Sequence, residues 1–469
     1  MTGGIRKIAL IMVFSFVFLS LGLVYWQVVN ADTMLENPAN RRTILLEKRI
    51  IRGGIYDVNG VALAETRIDG TSKERVYPQG ETFQPLLGYA SLEYGSAGLE
   101  AALAENLLGL NDNSLVREVQ DSFDLERRGN DVILTIDSRL QKTAYDGLKG
   151  KAGAVVAIDP RNGDVLALVS QPSFDANTLE KDWEAILNKA GSPLLNHAFS
   201  HFPPGSIMKV ITSAALFRAG QDMTDIYNCE GSTIINGQII QDGQAHGWVN
   251  YDLALAYSCN TYFAVHGIDA GQDIFLQAVS GFGFGREIPF ELYVPPSSIT
   301  KDESLPANLE INLFAESTFG QGQVMISPFH IALITAGIAN KGEIMTPHLI
   351  DRVINTKQNI IYESQPELWL TALSTDEAEK IKSGMILAVN EGTASPGALP
   401  EIQVAAKTGS AEPGGNKTTH AWFIAFAPAD DPQIAVAVLV EHGGSGGGAA
   451  APIAKAVIEK ALERKVGDS

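Results

Sequence analysis

Cysteine is scarce in this chain of 469 residues, with only Cys229 and Cys259. Two are too few for a disulfide-rich scaffold or a Cys-based zinc site. They read as two partly buried free thiols, although spacing alone leaves their pairing open. Basic residues are also outnumbered: 35 Lys and Arg against 54 Asp and Glu give a formal net charge of −19. Such a surface repels phosphate backbones and argues against nucleic-acid binding. The 8 histidines include no H-E-x-x-H and no close pair. His201, His246 and His420 could line a cleft, but a structural role is the plainer expectation for each. Gly443–Gly448 (GGSGGG) is not part of a GxxxxGK[ST] phosphate loop and reads as a flexible connection. No repeat of 20–50 residues is present.

Long apolar runs are absent but for one. Ile8–Val29 carries no charge, and at about 1.5 Å per residue it covers the roughly 30 Å core of a bilayer. Arg6 and Lys7 precede it and Asp32 and Glu36 follow, an asymmetry that puts the N-terminus in the cytoplasm. The run is long for a signal peptide, and Tyr25-Trp26-Gln27-Val28-Val29 is a poor cleavage site. We therefore expect a cytoplasmic tail (1–7), an uncleaved membrane anchor (8–29) and everything after it outside the membrane.

The chain as a whole is 45% apolar and 19% charged, a mix that buries a core, and its length suggests two domains. Residues 30–140 hold short strand-like pieces and read as a small stalk. Gly53-Gly54 and Asn59-Gly60 suggest a hairpin, and Leu99, Leu103 and Leu107 suggest a helix over Ser96–Leu110. From 141 to 469 the pattern is one large α/β (α+β) unit. Gly153–Ile158 and Asp164–Ser170 read as strands, Ser206–Ala219 as a buried helix ended by Gly220, and Val404–Ser410, Ala421–Ala427 and Ile434–Val440 as strands. The last two strands should be antiparallel, and Pro452–Leu462 should close the unit as a helix.

Three short motifs carry chemistry. Ser206-Ile207-Met208-Lys209 opens a helix, where positions i and i+3 share a face and the amine reaches the hydroxyl. Serine needs an adjacent base, and lysine serves only if burial or nearby positive charge keeps it neutral. The same pattern recurs at Ser298–Lys301, but in a polar, proline-led stretch that reads as a surface loop. Ser258-Cys259-Asn260 is a small polar island in an apolar neighbourhood; alone it would be a helix junction capped by Ser258 or Asn260. Lys407-Thr408-Gly409-Ser410 ends a strand, with Thr408 and Ser410 on one face and Lys407 on the other. Gly409 admits close approach to the backbone, and an edge strand here could pair with a peptide whose carboxylate the two hydroxyls grip. Serine-x-x-lysine, serine-x-asparagine and lysine-threonine-glycine, in this order, are the motif set of serine β-lactamases and penicillin-binding proteins.

With these residues the chain resembles the class B penicillin-binding proteins, most of all their compact actinobacterial cell-division type. Arg52-Gly53-Gly54-Ile55-Tyr56-Asp57 with Asn59-Gly60 is similar to the family's stalk motif. Pro172-Ser173-Phe174-Asp175-Ala176-Asn177, Gly320-Gln321-Gly322 before Ser327-Pro328, Gly392-Thr393-Ala394 and Ala421-Trp422-Phe423 also sit where that family has them. Ala176, Ala406 and Ser410 depart from its usual residues without removing a hydroxyl or a charge.

The resemblance implies a transpeptidase and serine β-lactamase-like fold, an antiparallel sheet flanked by helices, and a D,D-transpeptidase that cross-links peptidoglycan stem peptides and is acylated by β-lactams. It implies Ser206 as nucleophile, Lys209 as base, Ser258 as proton relay and Asn260 as positioner. Lys407 would supply positive potential, and Thr408, Gly409 and Ser410 would bind substrate. No metal or organic cofactor is implied, and a SEDS-family membrane glycosyltransferase is the implied partner. The alternatives are a D,D-carboxypeptidase, a membrane-anchored β-lactamase and a non-catalytic divisome scaffold. No E-x-x-L-N glutamate follows Ser258 to support the lactamase, and a scaffold would be free to lose Ser206, Lys209 or Lys407.

Overall fold

The computed structural model describes residues 2–25, 50–70, 72–110, 127–301, 304–306, 308–415 and 417–463. The N-terminal helix, Thr2–Val24, includes an uncharged stretch, and its Arg6–Leu23 segment has a mean hydropathy of 1.9 with no side chain buried. An apolar helix left uncovered by protein is of the length and composition that a bilayer covers. The far end of the expected anchor, Trp26–Val29, lies outside the described residues.

The C-terminal part of the chain is organised by a five-stranded antiparallel sheet. In chain order its elements are β1 (Gly153–Ile158), β2 (Val165–Gln171), α1 (Lys209–Arg218), α2 (Asn260–Ala270), α3 (Pro328–Ala339), β3 (Ala405–Ala411), β4 (His420–Ala427), β5 (Ile434–Val440) and α4 (Ala451–Glu463). The strand order is β2-β1-β5-β4-β3, with β4 and β5 antiparallel as expected. Side chains alternate across a strand, so one run of apolar residues feeds two cores. Val156, Ile158, Trp422, Ile424, Ala437 and Leu439 join the core containing α3, whose residues are all buried. Val155, Ala157, Phe423, Ala425, Val436 and Val438 join the core containing α4 and the helix Ser138–Leu148. Both faces being covered explains why β4 and β5 are apolar without interruption. The sheet's exposed boundary is thus its edges, and β3 is one of them.

The expected buried helix over Ser206–Ala219 is in two parts, a 3-10 turn, Gly205–Met208, followed by α1. The expected helix over Ser96–Leu110 is likewise divided into Gly98–Ala102 and Ala104–Leu107, yet Leu99, Leu103 and Leu107 are all buried. Gly443–Gly448 differs from its sequence reading: Gly446 is buried in a π-helical turn, Gly446–Ala450, that leads directly into α4. A Cβ there would lie 2.1 Å from the Trp422 carbonyl oxygen, so glycine serves close packing rather than slack.

A six-stranded sheet spans the N-terminal residues and, notably, two strands from far along the chain. Its order is Ile360–Glu363, Ile350–Ile354, Asp131–Leu134, Ile55–Tyr56, Ala62–Asp69 and Ser72–Val76. Ile55–Tyr56 and Ala62–Asp69 form the expected hairpin, with Asp57 Oδ1 accepting from the Asn59 and Val61 N–H groups at its turn. Gly53 is required, because a Cβ would meet the Asn130 carbonyl oxygen at 1.8 Å. Asn177, from the Pro172–Asn177 motif, fastens this region to the part of the chain that carries the five-stranded sheet: its Oδ1 accepts from the Tyr77 N–H at 2.9 Å and its Nδ2 donates to the Tyr77 carbonyl at 3.0 Å.

Glu100 is fully buried between Arg52 and Arg75, accepting from their Nε atoms at 2.6 and 2.7 Å. Burial alone would raise its carboxyl pKa, but the Arg75 and Arg52 guanidiniums outweigh this and hold it below the usual value. A lowered folded-state value contributes stability above the unfolded carboxyl's range and loses it as pH falls through the folded value. Removing one partner strands buried charge, at a cost of about 3–5 kcal/mol. Glu100→Ala should therefore destabilise the protein by that order in chemical denaturation at pH 7, with the gap to wild type narrowing in acid. A change under about 1 kcal/mol at pH 7 would show the pair to be dispensable.

Candidate active site

The nucleophile candidate is placed by a short, heavily anchored segment. Phe202 exchanges backbone hydrogen bonds with Ile326 at 2.9 and 3.0 Å, and the Trp422 indole N–H donates to the Pro203 carbonyl at 2.9 Å. The Gly205 N–H donates to the Gly320 carbonyl at 2.9 Å. Gly205 itself is left-handed (φ 56°), and a Cβ on Gly320 would meet the Gly205 carbonyl oxygen at 2.0 Å. The Gly320-Gln321-Gly322 segment thus acts as a backing plate against which Ser206 is set.

Lys209 begins α1 one turn later, and its side chain is fully buried. Its Nζ lies 2.8 Å from Ser206 Oγ, 2.7 Å from the Ser258 carbonyl oxygen, 2.6 Å from Asn260 Oδ1 and 3.2 Å from Ser258 Oγ. A neutral amine has two N–H donors and one lone pair. The Ser258 carbonyl and Asn260 Oδ1 can only accept, so they take the two donors and leave the lone pair for the Ser206 hydroxyl. Burial pulls the amine's pKa down to about 7, against the opposing pull of the Asp242 carboxylate.

Ser258 sits at a left-handed position (φ 64°) between the helix Tyr251–Ala256 and α2. The segment is a helix junction, but neither Ser258 nor Asn260 is its cap: the Cys259 sulfur accepts from the Tyr262 N–H at 3.4 Å. Capping by the middle residue turns its two neighbours toward Lys209. Asn260 Nδ2 donates to the Gln241 carbonyl at 2.8 Å, which fixes the amide so that Oδ1 faces the amine.

The Lys407 side chain is also fully buried; its Nζ donates to Ser258 Oγ at 2.9 Å and to the Thr408 carbonyl at 3.0 Å. Burial and the neighbouring Lys209 amine lower its pKa well below the usual lysine value. Ser258 Oγ therefore lies between two amines, in a chain from Ser206 Oγ through Lys209 Nζ and Ser258 Oγ to Lys407 Nζ. Thr408 and Ser410 line the open side of a cleft of about 570 Å³ that also contains Ser206, Ser258 and Asn260. Gly409 is tightly enclosed, since a Cβ would stand 3.0 Å from both the Pro204 carbonyl oxygen and the Trp422 Cβ.

All eight residues singled out from the sequence thus converge on one place. Ser298–Lys301 does not line the cleft; Ser298 is bridged to Met325 by backbone hydrogen bonds, Ile299 is buried and Lys301 is exposed. Of the three histidines, His246 borders the cleft, whereas His201 faces the Pro295 carbonyl at 3.1 Å and His420 packs on His442. Sequence reasoning missed two contributors. Thr393 Oγ1 lies 2.7 Å from Thr408 Oγ1, which orients that hydroxyl. Asp242 accepts from the backbone N–H groups of Asn260 and Thr261 and from Thr261 Oγ1. An Asp-Gly pair after an alternating strand signals a turn, but nothing in the sequence links position 242 to 260.

Residues 153–459 match the penicillin binding protein transpeptidase domain and residues 52–132 the penicillin binding protein A dimerisation domain. The peptidoglycan D,D-transpeptidase PbpA of Mycolicibacterium smegmatis is 33% identical over 98% of this chain and 99% of its own length. Its namesake from Mycobacterium tuberculosis is 34% identical over 99% of each. Among solved structures, the ceftriaxone acyl-enzyme of penicillin-binding protein A from M. tuberculosis superposes with a TM-score of 0.83 at 34% identity, covering 89% of this chain and 100% of that one.

If Lys209 is the base, its proton must be lost before Ser206 attacks, so acylation by a fluorescent penicillin should rise with pH through about 7. Lys209→Arg, which stays charged, should slow acylation by orders of magnitude. A rate that stays level across that range would remove Lys209 as the titrating base.

Proposed function

The chain belongs to the class B penicillin-binding proteins, and from that premise we propose how its own residues perform peptidoglycan D,D-transpeptidation. It is a serine acyltransferase of the D,D-transpeptidase type, acylated by β-lactams. The observation that carries the assignment of roles is the 2.8 Å approach of the buried Lys209 amine to Ser206 Oγ.

Ser206 Oγ attacks the carbonyl joining the two D-alanines of a donor stem peptide while its proton passes to the Lys209 lone pair. Negative charge develops on the carbonyl oxygen, and the backbone N–H groups of Ser206 and Ser410 receive it, each donor being worth about 3–4 kcal/mol in comparable sites. The proton then moves by way of Ser258 Oγ to the departing amine, and terminal D-alanine leaves. An amine from a second stem peptide takes the acyl group and gives up its proton along the same path, regenerating Ser206. Thr408 and Ser410 hold the donor's terminal carboxylate, and the arriving negative charge favours the protonated form of the Lys407 amine behind them, which then contributes positive potential. A β-lactam presents its ring carbonyl in the donor's place, and its leaving amine stays tethered, which blocks the acceptor.

The first described helix serves as a single-pass anchor with its N-terminus in the cytoplasm and the catalytic half outside. We divide the rest into a pedestal, 30–140, and a transpeptidase unit, 141–469, with the strands Ile350–Ile354 and Ile360–Glu363 of the latter completing the pedestal's sheet. The helix is also a suitable contact for a SEDS-family glycosyltransferase, which would supply the glycan strands to be cross-linked.

Intact-mass analysis of the full-length protein after incubation with penicillin should show one adduct, mapped to Ser206 and absent from Ser206→Ala. An adduct that persists in that variant places the nucleophile elsewhere. Thr408→Val should weaken donor or β-lactam capture by about tenfold with a smaller effect on the acylation step itself, consistent with loss of one carboxylate hydrogen bond. An unchanged second-order rate would remove Thr408 from carboxylate binding.

A further inference from the structure

The residues lining the cleft fall into two groups by what fastens them. Thr408 and Ser410 on β3 belong with Thr393 and Gly446, through the Thr393–Thr408 hydroxyl contact and the close packing of Gly446 on the Gly409 backbone. Capture of the donor's carboxylate uses this group. Gly243, Gln244, His246 and Tyr257 line the cleft as well, and donor capture leaves them unused.

This second group is firmly held. The Asp242 N–H donates to the Gly231 carbonyl at 2.9 Å, and the Gln241 carbonyl accepts from Asn260 Nδ2 at 2.8 Å. Gly231 is left-handed (φ 91°), and a Cβ there would stand 3.1 Å from the Ala245 nitrogen, so the turn 242–246 lies directly on the backbone behind it. The Tyr257 N–H donates to the Leu253 carbonyl at 2.8 Å, and its ring stacks on His246 with centroids 6.1 Å and planes 19° apart. Two polar ends are left over. Among the described residues, neither the Tyr257 hydroxyl nor the amide of the exposed Gln244 has a hydrogen-bond partner. A fixed aromatic with spare polar groups beside it is how a ligand-binding wall is built.

We propose that Tyr257 and Gln244 form the subsite for the acceptor stem peptide, with the aliphatic side chain that carries the attacking amine lying on the Tyr257 ring and Gln244 pairing with the acceptor's backbone. The inference rests on the transpeptidase reading and on the roles given there to Ser206 and Ser258. Once terminal D-alanine has left, the acceptor's ammonium sheds one proton to water and the neutral amine attacks the ester carbonyl. A C–N bond forms, the C–Oγ bond to Ser206 breaks, and one amine proton returns to Ser206 Oγ through Ser258 Oγ and Lys209 Nζ. The nitrogen must therefore come within about 3–3.5 Å of the ester carbonyl while facing Ser258. Tyr257 directly precedes Ser258, so a side chain resting on that ring delivers its nitrogen beside the relay.

The chemistry of the two residues suits the acceptor. An aromatic face packs methylenes and attracts an ammonium before its proton is lost. A glutamine amide offers two donors and one carbonyl, the complement of a peptide unit. Water needs neither contact. This wall thus separates transfer to an amine from hydrolysis, a choice that Ser206, Lys209 and Ser258 leave open.

The test uses the detergent-solubilised full-length protein, an N-acyl-D-alanyl thioester as donor, and stem tetrapeptides bearing a lysine or a diaminopimelate amine as acceptors. The readout is the ratio of amide product to hydrolysed donor, and wild type should form the amide with at least one acceptor. Tyr257→Ala should lower the ratio by about tenfold and Gln244→Ala by about fivefold, with more acceptor needed for half-maximal transfer. Tyr257→Phe, which keeps the ring, should retain most of the ratio; a Phe variant as poor as Ala overturns the ring contact. An unchanged ratio in Tyr257→Ala overturns the subsite, and one in Gln244→Ala removes that residue from it. Penicillin acylation that falls as far as transfer does would make Tyr257 a mere support of Ser258 and also overturns the subsite. Wild type that only hydrolyses the donor, with Ser206 still labelled by penicillin, overturns the subsite and leaves the nucleophile in place. Absence of label at Ser206 overturns the catalytic reading instead.

Discussion

One buried amine governs the architecture of the cleft. A lysine withdrawn from water is an expensive group unless it can shed its proton and satisfy what remains. Around Lys209 the chain supplies two acceptors, the Ser258 carbonyl and Asn260 Oδ1, and leaves the Ser206 hydroxyl for the lone pair. Both acceptors come from one turn some fifty positions beyond Ser206, so the demand of a single nitrogen dictates that two distant segments meet. Lys407 is buried beside them, and burial together with the neighbouring Lys209 amine lowers its own pKa well below the usual lysine value.

The rest of the catalytic half can be understood as a means of holding that arrangement still. A sheet covered on both faces cannot shift its strands without opening one of two cores, and β3 inherits that rigidity although it is an edge. The Trp422 indole, projecting from β4, reaches the Pro203 carbonyl and so couples the sheet to the turn bearing Ser206. Gly320 and Gly446 let two further backbones close in where any side chain would intervene. Stiffness here is useful because the hydroxyl, amine and carboxylate-binding groups must be in register before substrate arrives.

What could be read from the sequence follows from the range of the forces involved. The strands β4 and β5 were legible because an unbroken apolar run of that length has few other homes. The three motifs were legible as chemistry because each places reactive groups within a few residues of one another. The division of the Ser206 helix into a 3-10 turn and α1 was not, since it depends on Gly205 being pulled toward Gly320 across the fold. Asp242 and Thr393 were invisible for the same reason: their partners, Asn260 and Thr408, are near in space and unmarked in sequence. The glycine run before α4 misled in a different way, for glycine signals slack and close packing with the same letter.

The strands Ile350–Ile354 and Ile360–Glu363 complete a sheet whose other members all precede residue 135. Synthesis runs from the N-terminus, so that sheet waits with an unprotected flank until some two hundred further residues have left the ribosome. Neither half can then mature as an autonomous module. Closing so long a loop makes folding slow and ties the order of assembly to the pace of synthesis, with the incomplete edge the part most in need of a chaperone.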